Sequence, residues 1–136
     1  TPSNSSAASD VYKRQVDIHI NILQANASTR CAGINAASLA LAHAGVSMKE
    51  LVSSVSIGKI DDKIVVDLTK EEEDYKEGEG STDIPMAFTK SGEISLLQLD
   101  GKIQHEKLKE AIKIGKEASK KVYEVQKKAL KSIGEK

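Results

Sequence analysis

From about Gln104 to Ile133 the chain places apolar residues at steps of three and four: Leu108, Ala111, Ile112, Ala118, Val122, Val125, Ala129, Leu130 and Ile133. That spacing lines one face of a helix. Lysines cover the opposite face, and no proline interrupts the stretch. At a rise of 1.5 Å per residue, an unbroken helix of this length runs roughly 45 Å. A helix so long and one-sided needs another element beneath its apolar stripe, which points to a layered domain. Gly115 is either a weak point in it or a site of close packing. The lysine face could touch RNA, but a solvated face is the default for such a stripe.

The segments upstream supply strands. Val16 to Leu23 alternates, with Val16, Ile18, Ile20 and Ile22 on one side and Asp17, His19 and Asn21 on the other, which reads as a half-buried strand. His19 has no metal partner at ligand spacing and reads as a solvated or hydrogen-bonded strand histidine. Leu51 to Ile60 and Lys63 to Leu68 form a hairpin across the two-residue turn Asp61-Asp62. Gly58 inside the first strand marks a bulge or a close approach. Asp83 to Phe88 and Glu93 to Leu99 form a second pair across Lys90-Ser91-Gly92. The expected order is β-α-β-β-β-β-α, an α+β layer of mainly antiparallel sheet with both helices covering one face. An acidic loop, Thr69 to Thr82, joins the two hairpins.

The first helix follows a tight polar turn. Within Leu23 to Ala44, the turn Asn26-Ala27-Ser28-Thr29-Arg30 sets two hydroxyls and a guanidinium at a helix start. Unpaired N–H groups and the positive end of the helix dipole favour an anion there, and phosphate is the expected one. Ser28 or Thr29 caps the helix, and Gly45 ends it. Its small residues, Ala32, Ala36 and Ala40 among them, suit close packing on a sheet. Asn35, a poor helix former in mid-helix, is expected to bond to a neighbouring loop. Asp74 and Asp83 flank the end of the acidic loop and can meet at one sheet edge. Taken alone, two such carboxylates are most often ordinary solvated surface.

With 136 residues the chain has room for one modest domain, and with aromatics at 3% its core must be aliphatic. No apolar run is long enough to span a bilayer, and no secretory signal pattern is present. The single Cys31 rules out an internal disulfide and fits a reducing cytosol. Twenty basic and twenty acidic residues cancel, so overall charge gives no hint of nucleic-acid binding. Residues 1–15 lack periodicity. Ser5 to Gln15, SSAASDVYKRQ, reads as a translated transposon-end sequencing adapter, with a natural disordered tail as the alternative. Residues 1–15 are therefore expected to be a non-native, disordered tail, and residues 16–136 the C-terminal part of a truncated domain.

LQANASTRCAGINAASLALAHAG, followed by IVVDLTKEEED, DIPMAF and LLQLDG, resembles the RNase PH family, most closely the catalytic RNase PH-like subunit of the archaeal exosome. The resemblance covers nearly all of Val16 to Lys136. It implies the RNase PH-like fold, also described as ribosomal protein S5 domain 2-like. It also implies phosphorolysis, in which inorganic phosphate attacks the 3′-terminal linkage of RNA and releases a nucleoside diphosphate. By position, Ser28, Thr29 and Arg30 would hold the attacking phosphate and Asp74 would be the catalytic aspartate. Asp74 and Asp83 would bind a divalent metal, Mg²⁺ or Mn²⁺. The implied partners are RNA, a second RNase PH-like subunit in a hexameric ring and RNA-binding cap subunits of the exosome, with no membrane.

The unaided chemistry agrees. A phosphate nucleophile must be held and aimed, which a helix start with an Arg fork does, and a carboxylate-held cation offsets charge built up on the phosphoryl group. Two departures stand out. The family usually has Asp-Gly or Gly-Gly where this chain has Asn26-Ala27, and the stretch from Asp74 to Asp83 is longer than usual. Competing readings are a non-catalytic ring subunit, a bacterial-type RNase PH that trims tRNA, and an RNA-binding or assembly module. Retention of Arg30 and Asp74 argues against the first.

Overall fold

The computed structural model of the chain describes residues 14–134. Most of the expected tail, residues 1–13, lies outside the described residues. In chain order the elements are α1 (Thr29–His43), β1 (Val52–Ile60), β2 (Lys63–Val66), α2 (Lys70–Glu73), β3 (Ser81–Thr89), β4 (Ile94–Leu97) and α3 (His105–Gly134). The four strands form one antiparallel sheet in the order β2-β1-β3-β4.

Helix α3 covers one sheet face, as its stripe requires. Val55 and Ile57 of β1 join Ile84, Met86 and Phe88 of β3 and Ala111 of α3 in the core, and Leu108, Ile112 and Ala118 pack against them. Gly115 is a close-packing site: a Cβ there would lie 2.8 Å from Met86 Sδ and 3.2 Å from Ile57 Cγ1. The helix therefore sits on the sheet at the distance a glycine sets. Gly58 is likewise a close approach. A Cβ there would fall 2.3 Å from Leu68 Cγ, while the register through Gly58↔Val65 is regular.

Helix α1 does not share that face. Side chains alternate along β1, and Ser54, out of phase with Val55 and Ile57, meets α1 instead. Strand β2 pairs only with Ile57 to Ile60, leaving the first half of β1 without a strand on that side. Side chains take the strand's place. Asn35 Nδ2 donates to the Ser54 carbonyl at 2.8 Å, and Asn35 Oδ1 accepts from the Ser54 N–H at 2.7 Å. Ser38 Oγ accepts from the Val52 N–H, and Gln126 Nε2 of α3 donates to the Val52 carbonyl. Asn35 thus bonds to strand backbone rather than to a loop, and α1 is fixed to the sheet by hydrogen bonds more than by its small apolar residues. Its C-terminus closes as the sequence indicates. Gly45 takes φ 75°, the Gly45 N–H donates to Ala42 O and the Val46 N–H to Leu41 O, which is the Schellman pattern.

Two further expectations are corrected. Val16 to Leu23 is not a strand: no strand among the described residues pairs with it, so its backbone finds no ladder. Val16, Ile18, Ile20 and Ile22 stay about half exposed, and Ile20 crosses α1 at Gly33, where a Cβ would stand 3.5 Å from the Ile20 methyls. The acidic segment is also not all loop. Thr69 and Glu72 form a capping box around α2: Thr69 Oγ1 accepts from the Glu72 N–H, and Glu72 Oε2 accepts from the Thr69 N–H. The observed order of larger elements is therefore α-β-β-β-β-α.

Candidate functional site

The turn before α1 is strained. Ala27 (φ 61°) and Ser28 (φ 54°) both occupy the left-handed region, which a residue with a Cβ enters at a cost of roughly 1–2 kcal/mol. This conformation turns Ser28 away from capping. It makes no cap hydrogen bond, and its Oγ is buried without a partner. Neither Ser28 nor Thr29 caps α1 through its side chain, contrary to expectation, because two successive left-handed residues aim the Ser28 hydroxyl elsewhere.

It lies at a cleft of about 850 Å³. Ser28, Thr29 and Arg30 line one wall, with Cys31 and Gly33 behind them, and Ser56, Asp83 and Pro85 line the sheet side. Gln98 and Asp100 close the rim beyond β4, where Gln98 accepts a hydrogen bond from Arg30 Nη1. Lys70 and Glu73 of α2 also line the cleft. An adjoining cleft of about 430 Å³ is lined by Asp74, Tyr75 and Ser81, and it shares Glu73, Asp83 and Asp100 with the first. Ser28, Thr29, Arg30 and Asp83 are therefore brought together, and Asp74 stands one cleft away, joined through Asp83.

Asp83 is fixed in two ways. Its carboxylate Oδ1 accepts from Ser56 Oγ at 2.5 Å, and its backbone exchanges hydrogen bonds with Asp100 at 2.9 and 2.8 Å. Asp74 is the C-cap of α2, and its exposed side chain accepts from Lys70 Nζ at 3.0 Å. Asp74 and then Glu73 hold the Lys70 ammonium above its ordinary pKa. The acidic loop is held by β1 and the β1–β2 turn. Asp61 in the β1–β2 turn accepts from Tyr75 Oη at 3.3 Å and from the Glu79 N–H at 3.0 Å, and buried Lys59 donates to Glu79 at 2.6 Å. Burial, then the Asp83 charge, pushes the Cys31 thiol up, so it is protonated and unreactive at neutral pH.

No group of three or more His, Cys, Asp or Glu side chains among the described residues is placed to hold a metal ion. Asp74 and Asp83 do line one cleft, and two carboxylates completed by water or phosphate oxygens suit Mg²⁺ or Mn²⁺. Sequence reasoning missed Ser56, Lys70, Gln98 and Asp100. Gln98 and Asp100 stood in the quoted LLQLDG, but nothing in a single sequence marks a strand end as a cleft rim.

The family model described as 3′ exoribonuclease family, domain 2, matches residues 50–118, and that described as domain 1 matches residues 2–47. The chain belongs to the RNase PH family of 3′ exoribonucleases. The domain 1 match begins within residues 1–15, upstream of the strongly patterned region. Exosome complex component Rrp41 of Thermococcus gammatolerans is 49% identical over 117 residues, covering 85% of this chain and 45% of that protein. Exosome complex component Rrp41 of Methanosarcina mazei is 44% identical over 119 residues, covering 88% of this chain and 23% of that protein. The chain thus spans a quarter to a half of the length of these curated relatives. Among solved structures, rice (Oryza sativa) Rrp46 superposes with a TM-score of 0.71 at 22% identity, over 80% of this chain and 51% of that one. That likeness supports the RNase PH-like fold. No helix among the described residues is long and apolar enough to cross a membrane.

Proposed function

We propose that the chain is part of the catalytic RNase PH-like subunit of an exosome ring, a 3′-to-5′ exoribonuclease that uses inorganic phosphate to release nucleoside diphosphates from RNA ends. The observation that carries this reading is the Ser28 hydroxyl, buried without a partner beside Arg30 at the start of α1. A polar atom buried without a bond costs about 1–3 kcal/mol, and a phosphate oxygen would satisfy it. Thr29 and the free N–H groups of the first turn would share that anion with Arg30. The relatives named Exosome complex component Rrp41 support the assignment to an exosome.

In this reading Ser28, Thr29 and Arg30 hold and aim the phosphate oxygen at the terminal phosphodiester, while Asp74 serves in proton transfer to the leaving oxygen. Asp83, pinned by Ser56 and Asp100, would hold Mg²⁺ or Mn²⁺ together with Asp74. When bound, the ion offsets negative charge on the phosphoryl group. The partners that go with this reading are RNA, a second RNase PH-like subunit completing a hexameric ring, and RNA-binding cap subunits, in the cytoplasm.

The test is the identity of the product. Poly(A) incubated with the assembled protein and inorganic phosphate should yield ADP, with no release when phosphate is omitted. Release of AMP without phosphate, or no release under either condition, contradicts the proposal. The second outcome is what a non-catalytic ring subunit or assembly module would give.

A further inference from the structure

The walls of the larger cleft carry an excess of negative charge: Glu73, Asp83 and Asp100 against Arg30 and Lys70. Arg30 already donates to Gln98. Before a metal ion is bound on Asp83, one guanidinium among three carboxylates leaves a phosphate dianion facing net repulsion, and the cleft's own side chains offer one further cation to offset it. Lys70 is placed to be that cation. Its backbone N–H donates to Asn26 Oδ1 at 2.9 Å, across 44 residues of sequence. The start of α2 is thereby tied to the turn that carries Ser28, Thr29 and Arg30. Its ammonium is now engaged with Asp74 at 3.0 Å and Glu73 at 3.1 Å, and the side chain is 59% exposed. Exposed pairs of this kind are weak, and a four-carbon stem lets the ammonium exchange partners.

Resting on the phosphate reading of this cleft, we propose that Lys70 is a further phosphate-binding residue. Its ammonium leaves Asp74 for the incoming phosphate, so that docking of the nucleophile frees the Asp74 carboxylate. Asn26 sets the reach of this exchange by holding the Lys70 backbone against the turn. Phosphate binding and exposure of Asp74 then become one event.

Isothermal titration of inorganic phosphate into the assembled protein as wild type, Lys70→Met and Lys70→Arg tests this directly, with thermal melts alongside. Methionine keeps the length of the side chain and removes the charge. Phosphate should bind Lys70→Met about tenfold more weakly, the loss expected for one charge-assisted hydrogen bond. Lys70→Arg should stay within about twofold of wild type, with melting unchanged in both. The ¹³C shift of the Asp74 carboxylate should move on adding phosphate to the wild type and stay still in Lys70→Met. Equal phosphate affinity in wild type and Lys70→Met overturns the assignment of Lys70 and leaves the cleft reading standing. Absence of phosphate binding by the folded, assembled wild type overturns both.

Discussion

At the residue scale, the turn before α1 is held in a conformation its side chains resist. Ala27 occupies φ 61°, a conformation that glycine adopts without strain. Ala27→Gly is expected to stabilise the fold by about 0.5–1 kcal/mol, the left-handed strain relieved less the entropy glycine adds to the unfolded chain. A urea midpoint measures this, and an unchanged or lowered midpoint would mean the turn carries no such strain. Cys31, next to the same turn, makes a pH prediction. Burial, then Asp83 and Asp67, raises its pKa above the ordinary 9.0. The unfolded thiol therefore ionises first. The contribution to stability is fully present below pH 9 and is lost as pH rises through the folded pKa. Urea unfolding between pH 8 and pH 10.5 should show a steeper decline in the wild type than in Cys31→Ala.

At the element scale, the union of α1 with the sheet rests on Asn35 standing in for a strand. Asn35→Ala leaves the Ser54 N–H and carbonyl without their partners and is expected to cost about 2 kcal/mol or more. Loss of amide-exchange protection at Ser54, ahead of β3, would locate the damage, and undiminished protection would contradict the role. The mid-helix Asn was visible in the sequence as an anomaly. Its partner was not, because β2 is too short to cover β1 and that mismatch exists only in the folded register. The elements of the sheet and α3 were legible since period two and period 3.6 both express one-sided burial. Val16 to Leu23 carries the same period-two signal and still forms no strand, for alternation reports a preference and pairing needs a neighbour. The capping box Thr69-Lys70-Glu71-Glu72 was a local signal hidden inside an acidic run.

At the scale of the molecule, the fold brings residues 26–30, 70–74 and 83 around two joined clefts, with α3 holding the sheet from the far side. Turn, acidic loop and strand start were each readable as pieces. Their convergence was legible only through the resemblance to a family, since a lone sequence records no distances across 44 residues. The acidic loop is clasped by Asp61 and Lys59, and Asn26 ties the turn before α1 to α2. If the turn and the acidic loop act on one reaction, Arg30→Ala and Asp74→Ala in the assembled protein must both fail in phosphate-dependent ADP release from poly(A). Each variant should lose the activity by at least about a hundredfold, the scale expected for a positioned catalytic group, while melting as the wild type does. Full activity in both variants would mean that neither the turn nor the acidic loop takes part in the reaction.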